Sequence, residues 1–272
     1  MRCRDVLLAF GVIVTWCSPA LNGQEPAART ISLNETLIQY SLIASLAAGD
    51  YGGGTPLSQV LKEGDFGVGT FDHLEGEMIL LDGTIYQAFA DGTIRKPELT
   101  RTTPFAVTTT FDADGQLEDF NALSLEDLDD RLNKQLPRGN SAYAIRIDGE
   151  FAALSLRSVK AQTPPYRPLV DVVKDQSVFH HKMVKGTMFG FRCPQWVGTL
   201  NVPGYHWHFI SDDRLIGGHV ISCVFQGTKV KYDQCTSLLI RIPESEIFDD
   251  FDINSVKPKD IDVIERQSSP KP

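Results

Sequence analysis

The sequence predicts an α/β chain of α+β character, in which mixed strands are flanked by a few helices. Three observations carry this. Apolar residues recur at helical spacing in 34–49 and 124–135. Period-two runs broken by Asp-Gly turns fill much of the rest. Three prolines, Pro164, Pro165 and Pro168, interrupt the pattern between the two halves.

Residues 1–23 are set apart from the fold. Arg2 and Arg4 precede an apolar run over 6–16 that is too short to cross a bilayer, and Ser18, Ala20 and Gly23 follow it. This predicts a secretory signal cleaved between residues 20 and 24, and so a secreted or periplasmic protein. The alternative is an uncleaved anchor. Cys17 is a poor lipidation site because bulky Trp16 precedes it. Cleavage also removes Cys3 and leaves Cys193, Cys223 and Cys235, an odd number. Cys223 and Cys235 are close enough in sequence to pair, but sequence does not establish the geometry. The core, not a disulfide frame, must hold the fold.

After a polar leader (24–33), 34–49 reads as one helix, capped by Asn34 and ended by Gly49. The Gly-rich stretch 51–55 lacks the Lys and the strand-to-helix context of a phosphate cradle, so it reads as a loop. From 65 to 111 the period is two, with turns at Asp82-Gly83 and Asp91-Gly92 and a further strand over 106–111. In 124–135, Ser124 is the cap, Asp127 follows three later, and Leu125, Leu128 and Leu132 share a face. Residues 141–147 and 150–159 read as two strands about Asp148-Gly149. The prolines of 162–168 mark a domain boundary or a crossing linker. On the first reading, 34–161 is an N-terminal mixed-sheet domain and 162–272 a β-rich C-terminal one. The second half continues with a weakly helical stretch (170–181), then strands over 185–192, 204–210, 215–226 and 236–242, and a short helical turn within 244–252.

The 272 residues carry a net charge of −9 and are 42% hydrophobic. That is a globular balance, and the absence of a basic run argues against nucleic acid as partner.

The most informative segment is Tyr205-His206-Trp207-His208-Phe209. On a strand, His206 and His208 share one face, and the three aromatic residues share the other. A hairpin turn at Asp212-Asp213 brings a second strand back with His219. A turn centred between those aspartates sets His206 opposite His219, with His208 on the diagonal, at Cβ separations of roughly 4.5–5.5 Å. Three neutral imidazoles with an open fourth position make a catalytic zinc site, and Gly217 and Gly218 leave room beside it. The bland alternative is two core histidines with a third nearby by chance. His180 and His181 are neighbours and do not share a face, so they are poor ligands. Glu75 and Glu77 lie on one face if their segment is regular strand, with solvent exposure the ordinary alternative. Arg157 is a lone charge ending an apolar strand.

These residues resemble those of the acetolactate decarboxylase family. The resemblance runs over about 34–266. It rests on GDFGVGTFDHLEGEM (64–78), the strand ending at Arg157, GTMFGFRCPQW (186–196) and NVPGYHWHFISDDRLIGGHV (201–220). It implies a two-domain arrangement of mixed sheets with the metal site on a hairpin between them, and a homodimer. It implies Zn2+ held by His206, His208 and His219. Glu77 and Arg157 are implied as catalytic residues, with Glu265 matched by position rather than by motif. Thr70, in the family's Gly-Thr-Phe motif, is expected at the substrate, as is Arg157.

The implied reaction is decarboxylation of (S)-2-acetolactate to (R)-acetoin and carbon dioxide through a metal-stabilised enediolate. The small hydroxy-keto acid carries its own electron sink in its ketone, so no organic cofactor is needed. Zinc on the ketone and hydroxyl oxygens would supply Lewis acidity. Arg157 suits the substrate carboxylate, and its high pKa makes it a poor acid. The proton is therefore assigned to Glu77 or Glu265. Trp207, between two ligands, is expected to face away from the metal, and Cys193 to be a packed free thiol.

Three other readings compete. An enzyme for a related hydroxy-keto acid would share the site and differ in its pocket walls. A non-catalytic metal-binding module predicts loss of Glu77 or Arg157, and both are present. A structural zinc site needs a fourth ligand, which Cys193, Cys223 or Cys235 could supply, Cys223 sharing strand parity with His219.

Overall fold

The computed structural model describes residues 34–266, so the expected signal and polar leader lie outside the described residues. The chain opens with β1 (Thr36–Tyr40), α1 (Ile43–Ala48), β2 (Thr55–Pro56), α2 (Leu57–Glu63) and β3 (Phe66–Thr70). It continues through β4 (Glu77–Leu81), β5 (Thr84–Ala88), β6 (Ile94–Arg95), β7 (Thr102–Thr103), β8 (Ala106–Thr109) and β9 (Gly115–Ala122). Then come α3 (Leu125–Gln135), β10 (Ala142–Ser158), α4 (Leu169–Val172), β11 (Ser177–Cys193) and β12 (Gly204–Ser211). β13 (Gly217–Cys235), β14 (Ser237–Arg241), α5 (Glu246–Asp250) and α6 (Pro258–Arg266) complete it. The mixed α/β class stands.

One sheet has seven strands in the order β14-β1-β8-β3-β4-β5-β6. A second runs β10-β11-β12-β13-β9, and β10 also pairs with β13, which closes four strands on themselves, while β2 and β7 form a small third sheet. The prolines of 162–168 do not separate these sheets. β9 and β10 precede them yet belong to the second sheet, and β14 follows them yet pairs in parallel with β1. The segment is therefore a crossing, and a division at 161/162 cuts through both sheets.

Several local readings change. The single helix expected over 34–49 is a strand, β1, followed by the short helix α1. Its Leu37 and Ile38 fit either period, and pairing with both β14 and β8 outweighs helix propensity. Gly49 still ends the helix, in the left-handed region at φ 104°. Asp148-Gly149 is not a turn but the middle of the 17-residue β10, held on both sides by β11 and β13 with a register shift there. The helical stretch near 170 is short, and β11 begins already at Ser177. The Asp82-Gly83 turn joins β4 to β5, and α3 has the expected Ser124 cap, whose Oγ accepts from the Asp127 N–H at 3.1 Å.

Three apolar clusters follow from strand alternation. One draws on both sheets: Phe66, Val68 and Ile79 from the first, Phe189, Phe191 and Ile210 from the second. Another fills the inside of the closed strands, with Tyr143, Phe151, Trp207 and Phe209 packed against Leu128 and Leu132 of α3. The third lies under α2 on the far face of the first sheet. Each fully buried large side chain stabilises by roughly 1.5–3 kcal/mol. At Gly190, β11 passes so close to β12 that a Cβ would lie 1.8 Å from the His206 carbonyl oxygen, so glycine alone fits beside the ligand strand.

Candidate metal centre and active site

Along β12 the alternation is as the sequence requires. Tyr205, Trp207 and Phe209 enter the closed-strand core, while His206, His208 and Ile210 turn toward the first sheet. The hairpin register differs from the expected one. His208, not His206, stands opposite His219. The turn is wider than two residues: the Ser211 N–H donates to the Ile216 carbonyl, and Arg214 takes φ 62°. The shift is an even number of residues, so the histidines keep their common face.

The three rings converge. Centroid separations are 5.0, 5.1 and 5.4 Å, and one ligand atom from each lies within 4.8 Å of the others. All three are buried. The hydrogen-bond network assigns a tautomer to two of them. Nδ1 of His208 donates to the Met78 carbonyl at 2.8 Å, and Nε2 of His219 donates to the Glu265 carbonyl at 3.1 Å. That leaves His208 Nε2 and His219 Nδ1 without partners, and His206 Nδ1 is likewise unpaired. Three buried, unsatisfied ring nitrogens are costly without a ligand, and they fit a divalent cation. Burial is the main force holding all three imidazoles neutral. It pushes His206 down to about 3, aided by Arg157, and it carries His208 and His219 well below the ordinary histidine value. Neutral imidazole is the form that ligates.

The carboxylates approach from either side. Glu77, first residue of β4, sets Oε2 3.7 Å from His208 Nε2. Glu265, near the end of α6, sets Oε2 3.6 Å from His206 Nε2 and 3.8 Å from His219 Nε2. Burial raises both to about 7. Arg157 pulls each back, and Glu265 pushes Glu77 further up. Glu75 does not share the face of Glu77. Gly76, at φ 80°, breaks the strand, and Glu75 turns out to pair with Arg101 at 2.7 Å.

Arg157, at the end of β10, lies opposite His219 in the ladder. Its Nη1 donates to Gln176 Oε1 at 3.2 Å, while its Nε is buried and unpaired. Thr70 lines the same cavity, with its hydroxyl donating to the Gly76 carbonyl at 2.7 Å, so it holds the turn that delivers Glu77. The cavity has polar lining from Arg157, Glu77, Glu265, His206 and His219. Its opposite wall is apolar and comes largely from helices, including Ile43, Leu46, Leu169 and Ile264.

Sequence reasoning missed these wall residues and Gln176, since nothing in their local pattern marks a site. It also gave no helix to 258–266, although Ile261 and Ile264 have amphipathic spacing. His180 is engaged with Ser155 away from the centre. Cys223 is no fourth ligand: an extra residue at Ile221 shifts the β10–β13 register, so Cys223 faces the closed-strand core. Cys193, Cys223 and Cys235 are free and buried.

The family model described as Alpha-acetolactate decarboxylase matches residues 37–255. An alpha-acetolactate decarboxylase from Methanosarcina mazei is 40% identical over 233 residues, covering 86% of this chain and 81% of that one. One from Bacillus subtilis is 38% identical over 232 residues, covering 84% of this chain and 90% of that one. The crystal structure of the Bacillus subtilis alpha-acetolactate decarboxylase superposes with a TM-score of 0.82 at 36% identity, covering 85% of this chain and all of the other. A Staphylococcus aureus protein of unknown function, similar to alpha-acetolactate decarboxylase, gives 0.80 at 27% identity, with 85% and 100% coverage.

Proposed function

This chain belongs to the alpha-acetolactate decarboxylase family and is a carboxy-lyase, and we propose that it turns (S)-2-acetolactate into (R)-acetoin with zinc held by His206, His208 and His219. The observation that carries the metal reading is the set of three buried ring nitrogens without partners, two of them left over after the ring's other nitrogen has bonded to a backbone carbonyl. Three imidazoles with a fourth position open suit catalytic zinc. Zinc held there supplies Lewis acidity to the oxygens of the substrate.

The chain's own residues do the rest. Arg157 offers a guanidinium edge to the substrate carboxylate, fixed by Gln176 on one side. The C–C bond to that carboxylate breaks, carbon dioxide leaves, and the electron pair passes into the neighbouring ketone. A proton must then reach the carbon that lost the carboxylate. Glu77 and Glu265, both raised to about 7, are able to hold one near neutral pH. The apolar wall around Leu46 and Leu169 accommodates the methyl groups and keeps water from competing as a proton source. Thr70 aligns Glu77 through Gly76 and lines the substrate's cavity.

The apolar run at 6–16 supports export to the periplasm or the outside, and resemblance to the family supports a homodimer. Incubation of the purified protein with (S)-2-acetolactate and, separately, with its enantiomer, followed by chiral separation of the acetoin formed, tests the assignment. Predominant (R)-acetoin from the (S) substrate supports it. A folded, zinc-loaded protein that leaves both enantiomers intact refers the site to a related hydroxy-keto acid.

A further inference from the structure

Asp129 is buried, 7% exposed, on a helix whose other acidic residues meet solvent. It follows Leu128 and lies one turn before Leu132, so it shares the face that α3 turns to the closed-strand core. A carboxylate placed there costs stability unless its oxygens are occupied. Both are. Trp207 Nε1 donates to Oδ1 at 3.4 Å, and Arg266 Nη1 lies 3.5 Å from Oδ2.

These two partners come from the two elements that build the metal centre. Trp207 lies between His206 and His208 on β12. Arg266 directly follows Glu265 on α6. Arg266 reaches Asp129 across Gly204, where a Cβ would stand 2.7 Å from Nη2, and that glycine also holds φ 90°. Its Nε is braced by Asp262 one turn earlier, at 2.9 Å. Further along β12's inner face, the Tyr205 hydroxyl donates to Asn133 Oδ1 at 3.1 Å, so the back of the ligand strand is docked on α3 at two points. From the front, α6 is held by Ile261 and Ile264 in the core and by the His219 bond to the Glu265 carbonyl.

We propose that Asp129 is a positioning residue for the reaction: it clamps α6 to the back of the ligand strand through Arg266 and Trp207, and so fixes the Glu265 carboxylate against the histidines. The clamp rests on the reading of Glu265 as a working group of the site. It acts through position alone, because Asp129 touches neither the cavity nor a histidine.

The test uses the zinc-loaded enzyme with Asp129→Asn, Arg266→Gln, Arg266→Lys and the Asp129→Asn/Arg266→Gln pair, each also in a Glu265→Gln background. Asp129→Asn keeps the shape and the acceptor for Trp207, and Arg266 is at the rim, so these variants fold. We expect Asp129→Asn and Arg266→Gln each to lower kcat by about tenfold to 100-fold, the cost of a slightly misplaced group, with bound zinc and KM little changed. The pair should be no worse than the worse single change, and Arg266→Lys should recover part of the loss. Hydrogen exchange should quicken over 258–266 and not over 204–211, a readout independent of turnover. In the Glu265→Gln background the substitutions should have no further effect on kcat. A slow Glu265→Gln beside a wild-type-like Arg266→Gln overturns the clamp alone, as does multiplication of the two effects. Full activity of Glu265→Gln overturns the reading beneath it, and the clamp falls with it.

Discussion

His208 stands directly opposite His219 across the β12–β13 ladder, with ring centroids 5.4 Å apart. Each strand is also paired on its other side, β12 with β11 and β13 with β10. The spacing of the ligand set is therefore a property of the sheet. Chelation should leave the far-UV circular dichroism of the protein unchanged. Zinc added back at about 100 times its Kd should stabilise the fold by about 2.7 kcal/mol through mass action, read as a rise in Tm. Loss of the sheet signal on chelation would show that the metal, not the ladder, organises these strands.

Glu77 and Glu265 flank the histidines from different elements, and both are raised to about 7 by burial. A group that delivers the proton loses that capacity as the amide. Replacing it by Gln should lower kcat by about 100-fold or more while zinc stays bound. Steady-state rates and metal analysis of Glu77→Gln and Glu265→Gln distinguish them. The residue whose amide keeps full turnover is not the donor.

Arg157 is fixed by Gln176 through one nitrogen, and its Nε remains free inside the cavity wall. Lysine keeps the charge and loses the fork. Arg157→Lys should raise KM by about tenfold, the loss of one charge-assisted hydrogen bond. An unchanged KM for acetolactate would remove Arg157 from carboxylate binding.

Asp233 is 1% exposed, and its carboxyl accepts from the Asp112 N–H at 3.1 Å. Burial, with Asp114, Asp112 and Glu35 around it, raises it to about 6 despite that hydrogen bond. The folded chain thus keeps a proton that the unfolded chain has already lost. The stability that Asp233 contributes should be greatest below the ordinary aspartate range, fall as pH rises toward 6, and level off above it. Urea midpoints measured from pH 4 to pH 8 should show a shallower decline in Asp233→Asn than in the unaltered protein. An equal slope in both would clear Asp233 of that role.

Much of the site was legible because strand alternation is a strict rule. His206 and His208 had to share a face, and His219 joins them under any even shift of register, so an error of two residues left the cage intact. Ser124 and Gly49 were legible for the same kind of reason, since capping chemistry is local. Residues 36–40 were not. Five apolar and polar residues in a row satisfy a helix as well as a strand, and pairing with β8 and with the distant β14 decides between them. Glu77 was legible as an acid within an apolar segment and through the family resemblance, but not as parted from Glu75, because the break depends on the backbone at Gly76. Glu265 had only its position to mark it. What brings it in is Ile261 and Ile264 packing α6 into a core assembled from both sheets.

Zinc on His206, His208 and His219, as proposed, makes decarboxylation depend on the metal. Acetoin release from acetolactate should be followed for the purified protein as isolated, after chelation, and after zinc is returned, with His208→Ala treated alongside. We expect activity to vanish on chelation and return with zinc, and the variant to stay at least about 1,000-fold below it, the scale of several kcal/mol of lost Lewis-acid stabilisation. Full turnover by the chelated protein, or by His208→Ala, would contradict the account.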